Sequence, residues 1–428
     1  MADWRKVLAE TAVDVENHYD MLKFHLRERL GHRNPVMIQP YRGYGGKHKL
    51  YLIGRVLEDK DIESPTDNDS IWENLLNMYK RFASKEIPYA QVQATFQGQE
   101  SLVQADEEGM FEVWLEHQQP LKSDQLWYDV GLELISPLRE GVPPPKATGQ
   151  VFVPPDSARF GVISDIDDTI IQTDTAHLLT MARTVFLGNA HTRLPFKGAA
   201  AFYRALFNGE SGNEFNPMFY VSSSPWNLYD LLTDFFHLQD IPIGPILFLR
   251  NWGLTEEGLL PTHHRSHKLT AIRHILDLSD HLPFILIGDS GQEDPEIYQE
   301  IVELYPNRIL AIYIRNVSLN LKRPEAIREL AKDVIEVGTD MILADDTIPM
   351  ALHALEKGWI APEALAAIEQ RKAADEAPPS PVDKLLGKEP EETPTVVIEE
   401  GTAASTEPEA VEEILKEPEN DEKKPGES

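Results

Sequence analysis

The 428-residue sequence contains no cysteine, which excludes a disulfide framework and any thiolate-held metal. It is poor in basic residues, with 40 lysines and arginines against 71 aspartates and glutamates and a formal net charge of −31. Affinity for a phosphodiester backbone comes from basic side chains that displace counterions, so no nucleic-acid partner is expected. No apolar run reaches the length needed to cross a bilayer, and the opening MADWRKVLAETAVDVENHYD is charged throughout, without a signal-peptide core. The expected location is cytoplasmic, with peripheral membrane contact only through local features. Exposed charges further apart than a Debye length barely feel one another, so a basic patch can act against the mean charge.

What is present is organised around Phe160 to Asp174, FGVISDIDDTIIQTD. An apolar run stops at Ser164 and delivers Asp165, Asp167 and Asp168, followed by Thr169. Like charges crowded at a strand end repel one another, so a cation or a shared proton must relieve them. The carboxyl end of a parallel strand is also where open α/β sheets place ligands. Asp165 and Asp167 are two apart, so an extended backbone sends both side chains to one face and Asp168 to the other. One of that pair can serve as nucleophile and the other as acid and base. The plainer alternative is an acidic turn capping the next helix.

Three further stretches join this one: VSSSPWNLYDLL (Val221 to Leu232), the pair His267-Lys268, and IGDSGQEDPEIY (Ile287 to Tyr298). In this order, with DxDxT first, the motifs resemble the phosphatases of the haloacid dehalogenase superfamily, and most closely the actin-patch-protein type of phosphatidate phosphatase. The resemblance covers roughly Pro155 to Pro349. It implies a Mg²⁺-dependent phosphomonoester hydrolase working through an aspartyl-phosphate, with phosphatidate as favoured substrate, met at a membrane surface.

The resemblance also implies residue roles. Asp165 is the expected nucleophile, and Asp167 the acid that protonates the leaving alkoxide and later deprotonates water. A metal would oppose protonation of Asp167, so its carboxyl should stay off the ion and its backbone carbonyl should ligate instead. Ser222 is expected to donate to the phosphoryl oxygens, with Ser223 and Ser224 open as alternatives. Lys268, placed ahead of a helix from Leu269 to Leu276, offsets the charge of nucleophile and phosphoryl group. Asp289 ends a second apolar strand, Phe284 to Ile287, and would meet the metal beside Asp165, with Asp294 supporting from the following turn. Oxygen ligands with no histidine or cysteine suit Mg²⁺. The trio His263, His264 and His267 matches no common catalytic zinc spacing.

The remaining chain frames this unit. Residues 1–34 carry one apolar stripe, from Trp4 through Leu8, Ala12, Val15, Tyr19, Leu22 and Leu26 to Leu30, and predict a long helix. Residues 35–145 alternate in short strands, such as Val92, Ala94 and Phe96, and predict a small β-sandwich-like domain with one inserted helix around Trp72 to Tyr79; Pro143-Pro144-Pro145 reads as its exit. Residues 155–371 alternate apolar strands with helices, the pattern of a haloacid-dehalogenase-like, Rossmannoid parallel sheet. The stretch between its first two strands, with Arg183, His191, Arg193 and Lys197, is long enough to act as a lid. Residues 372–428 are rich in Glu, Pro, Ala and Thr and predict a disordered acidic tail, a candidate site for a protein partner. Two rival functions use the same chain: a phosphatase of a soluble metabolite or phosphoprotein, and a non-catalytic adaptor built on the β domain and the tail.

Overall fold

The computed structural model describes residues 35–58, 85–116, 120–121, 125–139, 141–171, 196–250, 263–279 and 282–376. All of these belong to one compact unit, Met1–Ala377. The expected N-terminal helix, the helix around Trp72, the lid stretch up to residue 195 and the expected tail from residue 377 on lie outside the described residues.

The first half is built of β1 (Val36–Pro40), β2 (Gly43–Gly45), β3 (Lys49–Glu58), β4 (Gln91–Phe96), β5 (Gln99–Gln104), β6 (Met110–Glu116), β7 (Trp127–Ser136) and β8 (Lys146–Phe152). They form a single sheet in the order β1-β3-β2-β8-β7-β4-β5, with β6 on the far edge of β3. The three-residue β2 joins halves that the alternating pattern had suggested as separate layers. Its other departure from expectation is the boundary: β8 pairs with β7 and β2, so the sheet runs past residue 145, and the triple proline is the β7–β8 connection. Prolines lack the N–H a ladder needs, so they mark a turn here as readily as a domain exit. Val56, Val92, Ala94, Val113, Val130 and Val151 are fully buried in this sheet's core.

The second half is a six-stranded parallel sheet of β9 (Gly161–Asp165), β10 (Met218–Pro225), β11 (Ile246–Arg250), β12 (Phe284–Asp289), β13 (Ile309–Arg315) and β14 (Asp340–Ala344). Strand order is β11-β10-β9-β12-β13-β14. Side chains alternate between two helical layers, as a period of two demands. Val162, Tyr220, Ile285, Ile287 and Tyr313 face α1 (Ala199–Asn208), α2 (Tyr229–Leu238), α6 (Thr347–Glu356) and α7 (Pro362–Glu376). Ile163, Phe219, Val221, Leu286 and Ile312 face α3 (His263–Leu278), α4 (Asp294–Leu304) and α5 (Arg323–Glu336). Burial on both faces explains why these strands read as continuous apolar runs.

Two helices correct the sequence reading. α3 begins at His263, so Lys268 lies inside a helix and not ahead of one; nothing in HHRSHK breaks a helix. α7 continues past residue 371 to Glu376. Its end is held by specific contacts: Ile368 is fully buried, Lys372 pairs with Asp346 at 2.7 Å, and Asp375 accepts from the Gly198 amide at 2.9 Å.

The two sheets share aromatic contacts. Tyr41 packs on Trp226 and Tyr229, with ring centroids 4.5 and 4.7 Å away, and the Arg42 amide donates to the Tyr229 hydroxyl at 2.9 Å. Tyr44 meets Phe219 of β10 edge-on at 5.1 Å and its hydroxyl lies 2.5 Å from His274 Nδ1 of α3. The β half thus buttresses the strand and helix that carry Ser222 and Lys268.

Candidate active site

In the observed order, β9 is followed outward by β10 and β11 on one side, and the chain then crosses to β12 on the other. The reversal between β9 and β12 opens a crevice at their carboxyl ends, the usual ligand position of such sheets. Asp165 ends β9 and Asp289 ends β12, so both acids stand at that crevice. Beyond Asp165 the chain turns tightly: Thr169, Ile170 and Ile171 all donate to the Ile166 carbonyl, and Asp168 takes a left-handed φ of 58°. Aspartate tolerates that conformation better than most residues.

The side chains converge on Lys268. Its Nζ donates to Asp165 Oδ1 at 2.8 Å and to Asp294 Oδ1. Asp294 Oδ2 in turn accepts from the Asp289 amide at 3.1 Å. Asp289 Oδ1 accepts from the amides of Gly291 at 2.6 Å and Gln292 at 3.0 Å. Gly288 makes this approach possible, because a Cβ there would meet Asp294 Oδ2 at 2.3 Å. Ser222 Oγ donates to Asp167 Oδ2 at 2.9 Å, across the gap between β10 and the DxDxT turn. The side chains of Ser223 and Ser224 lie outside the described residues, as do those of His263 and His264.

Burial makes the cluster electrostatically tense. Burial above all, and then Asp294, Asp167 and Asp289, push the Asp165 carboxyl well above the usual range, with Lys268 pulling it down. Asp289 is pushed up to about 7 by burial and by Asp294, against Lys268 and the two backbone amides. Burial alone would pull the Lys268 ammonium down, but Asp165 and Asp294 more than offset it and hold it charged. Oxygens of Asp165, Asp289 and Asp294 lie within 4.8 Å of one another, and all three residues are buried.

This donor set fits a divalent cation on two counts. With the Lys268 ammonium beside them, three buried carboxyls resist ionising together, which a divalent cation among them would relieve. Asp165 Oδ2 and Asp289 Oδ2 are buried without a hydrogen-bond partner, an arrangement a native site does not leave idle. The carboxyl of Asp167, occupied by Ser222, is not in this group.

Lys268→Met should expose the tension directly. Removing one partner of a buried ion pair leaves uncompensated charge and costs about 3–5 kcal/mol. Urea unfolding of metal-free protein should show a loss of that order, and a change within about 1 kcal/mol would show that the carboxylates do not depend on the ammonium.

One residue here escaped the sequence reading. Arg315 ends β13 level with Asp289 and is buried, which pulls its pKa down to about 10. Its Nε donates to the Thr169 carbonyl at 3.1 Å and its Nη2 to Thr347 Oγ1 at 3.3 Å, and the guanidinium lies 4.2 Å from the centre of the Phe196 ring. It ties the DxDxT turn to the segment that returns at Phe196. The available signal was a cation closing the apolar strand ILAIYIR, the same kind of break that singled out Asp165.

Comparison with known proteins bears on this same region. Residues 160–316 match the family model described as phosphatidate phosphatase APP1, catalytic domain. The matched segment is similar to a domain of that type. It contains Asp165, Asp167, Ser222, Lys268, Asp289, Asp294 and Arg315. An uncharacterized protein of Schizosaccharomyces pombe is 33% identical over 166 residues, which is 38% of this chain and 26% of that protein. Phosphatidate phosphatase APP1 of Saccharomyces cerevisiae is 33% identical over 183 residues, 42% of this chain and 30% of that protein. The matches thus span under a third of the length of these curated relatives. Among solved structures, a carbohydrate acetylesterase from Xanthomonas citri covers 77% of this chain and 71% of its own, at 12% identity and a TM-score of 0.26.

Proposed function

We propose that this chain is a Mg²⁺-dependent phosphatase that hydrolyses a phosphomonoester through an aspartyl-phosphate, with phosphatidate or a closely similar lipid as its substrate. The observation that carries the reading is the buried group of Asp165, Asp289 and Asp294 around Lys268, with two partnerless carboxylate oxygens, at the switch point of the parallel sheet. Support for the lipid comes from the match of residues 160–316 and from the yeast relative's own activity.

The chain's own groups would divide the reaction as follows. Asp165 attacks phosphorus, and the bond from phosphorus to the alkoxide breaks. Asp167 gives the alkoxide its proton and afterwards takes one from water, which attacks the same phosphorus and releases Asp165. Ser222, already on Asp167 Oδ2, orients that carboxyl or passes its hydrogen bond to a phosphoryl oxygen. Lys268 offsets the charge on Asp165 and on the arriving phosphate, while Asp294 holds Lys268 and the Asp289 amide in place. Asp165, Asp289 and Asp294, with the Asp167 backbone carbonyl, would hold the Mg²⁺. Bound there, it supplies Lewis-acid neutralisation of a dianionic phosphate that carboxylates would otherwise repel.

The deciding experiment is a substrate panel, with and without EDTA, comparing phosphatidate on vesicles with soluble phosphomonoesters. Phosphatidate should be the best substrate and should turn over faster on a surface. The sequence offers Arg183, Arg193 and Lys197 as basic residues for that surface, of which only Lys197 is among the described residues. Replacing all three should weaken vesicle binding by up to about 3 kcal/mol, at roughly 1 kcal/mol each, and spare soluble-ester hydrolysis. Equal loss of both activities, or preference for a soluble ester, would end the lipid assignment and leave the phosphatase one.

A further inference from the structure

Two leucines stand apart from every other large apolar side chain among the described residues. Leu319 is 99% exposed and Leu321 95%, whereas the next, Leu102 on the edge strand β5, reaches 62%. Both lie between β13 and α5, just after the matched segment ends at residue 316. β13 runs parallel to β12 with Arg315 level with Asp289, so this loop leaves the sheet at the same edge as the acids.

The loop is tied to the acid-bearing turn at both ends. At its start, Ser290 Oγ accepts from the amides of Val317 at 2.9 Å and Ser318 at 3.0 Å. At its close, Arg323 donates to the carbonyls of Ser290 at 3.0 Å and Gln292 at 2.7 Å, and pairs with Glu296. Between them, Ser318 Oγ accepts from the Asn320 amide and Asn320 Oδ1 from the Lys322 amide. The backbone is therefore held to Asp289's own turn at both ends, while its two leucines are exposed to solvent. Leu319, Asn320, Leu321 and Lys322 are all exposed.

We propose that the loop Val317 to Lys322 is an interfacial anchor for a lipid surface that carries phosphomonoester headgroups. Leu319 and Leu321 enter the acyl boundary, Lys322 meets the anionic headgroups, and the tether through Ser290 and Arg323 holds Asp165 and Asp289 at a fixed height above that plane. A convex tip with two leucines and an adjacent lysine suits insertion into a deformable layer, which needs no complementary groove. At the loop's start Asn316 Nδ2 donates to Asp345 at 2.7 Å, and at its close Glu296 is paired with Arg323. This inference rests on the lipid substrate proposed above and adds how the site reaches it.

The test uses the full chain. Because the sequence has no cysteine, Leu319→Cys takes a thiol-directed, polarity-sensitive dye at one position. Its emission should shift to the apolar form on adding phosphatidylcholine vesicles that contain phosphatidate. The double variant Leu319→Ala, Leu321→Ala should cosediment with those vesicles at least about tenfold more weakly and hydrolyse vesicle phosphatidate correspondingly slower. Its melting temperature and its turnover of a soluble phosphomonoester should not change. A dye that stays in water, equal vesicle binding by the double variant, or parallel loss of soluble-ester turnover would overturn the anchor. So would a wild-type dimer that the double variant converts to monomer, since the leucines would then bind a second copy. Dye shift and cosedimentation need no turnover. Leucine-dependent binding without phosphate release from any ester would leave the anchor standing and remove the phosphatase reading; soluble-ester turnover with an aqueous dye would do the reverse.

Discussion

Asp165→Asn should leave a folded protein that releases phosphate at least about a thousandfold more slowly than the wild type, because it removes the nucleophile itself and not an assisting group. The amide keeps the side chain's shape and one acceptor oxygen for Lys268, which now donates to Asp165 Oδ1 at 2.8 Å. Stability should not suffer. Asp165 is fully buried, and burial together with the neighbouring acids disfavours its charge, so a neutral isostere relieves repulsion among three carboxylates. Thermal unfolding of metal-free protein should therefore place the variant no lower than the wild type, while single-turnover experiments show no phosphorylated enzyme. Turnover within tenfold of the wild type, in a variant shown to be folded, would remove the covalent mechanism.

Stripping Mg²⁺ with EDTA should abolish activity, and Asp289→Ala should reproduce that loss without the chelator. Asp289 Oδ2 and Asp165 Oδ2 are buried carboxylate oxygens without hydrogen-bond partners, so the ion's binding energy should appear as stability as well as rate. At about a hundredfold excess over its dissociation constant, a ligand that binds only the folded state adds about 2.7 kcal/mol. The wild type should gain stability of that order on addition of Mg²⁺, read as a raised melting temperature, and Asp289→Ala should not. Asp294→Ala should be milder in rate, since Asp165 and Asp289 remain to hold the ion and Lys268 keeps its hydrogen bond to Asp165. Full activity of an exhaustively stripped protein would show that Lys268 alone neutralises the phosphate.

The parts of the site legible in the sequence are those where one local rule breaks another. Asp165 and Asp289 each end a wholly buried strand, and an acid after an apolar run is visible without coordinates. Strand positions were legible for the same reason: burial on both faces leaves no polar interruptions, and the run Phe284 to Ile287 lies within β12, Phe284–Asp289. Boundaries were less legible where polar residues carry the structure. The start of α3 is a polar run, HHRSHK, and the end of α7 is held by Lys372 and Asp375 reaching Asp346 and the Gly198 amide, partners distant in sequence. The β8 strand was hidden behind three prolines whose turn resembles a domain exit.

By itself, then, the sequence determined the alternation of strand and helix, the two acid-tipped strands, the motif order and the acidic excess, all of which are properties of neighbouring residues. Only the tertiary structure decided that β9 and β12 lie side by side at the switch point, so that acids 124 positions apart share one buried cluster with Lys268. It also decided that Ser222 is spent on Asp167, that Arg315 braces the DxDxT turn, and that Leu319 and Leu321 are left in water beside the site. The physical reason is common to all of these. Periodicity and propensity act over one element, whereas the pairing of a buried charge or the exposure of a side chain depends on which elements the strand order brings together.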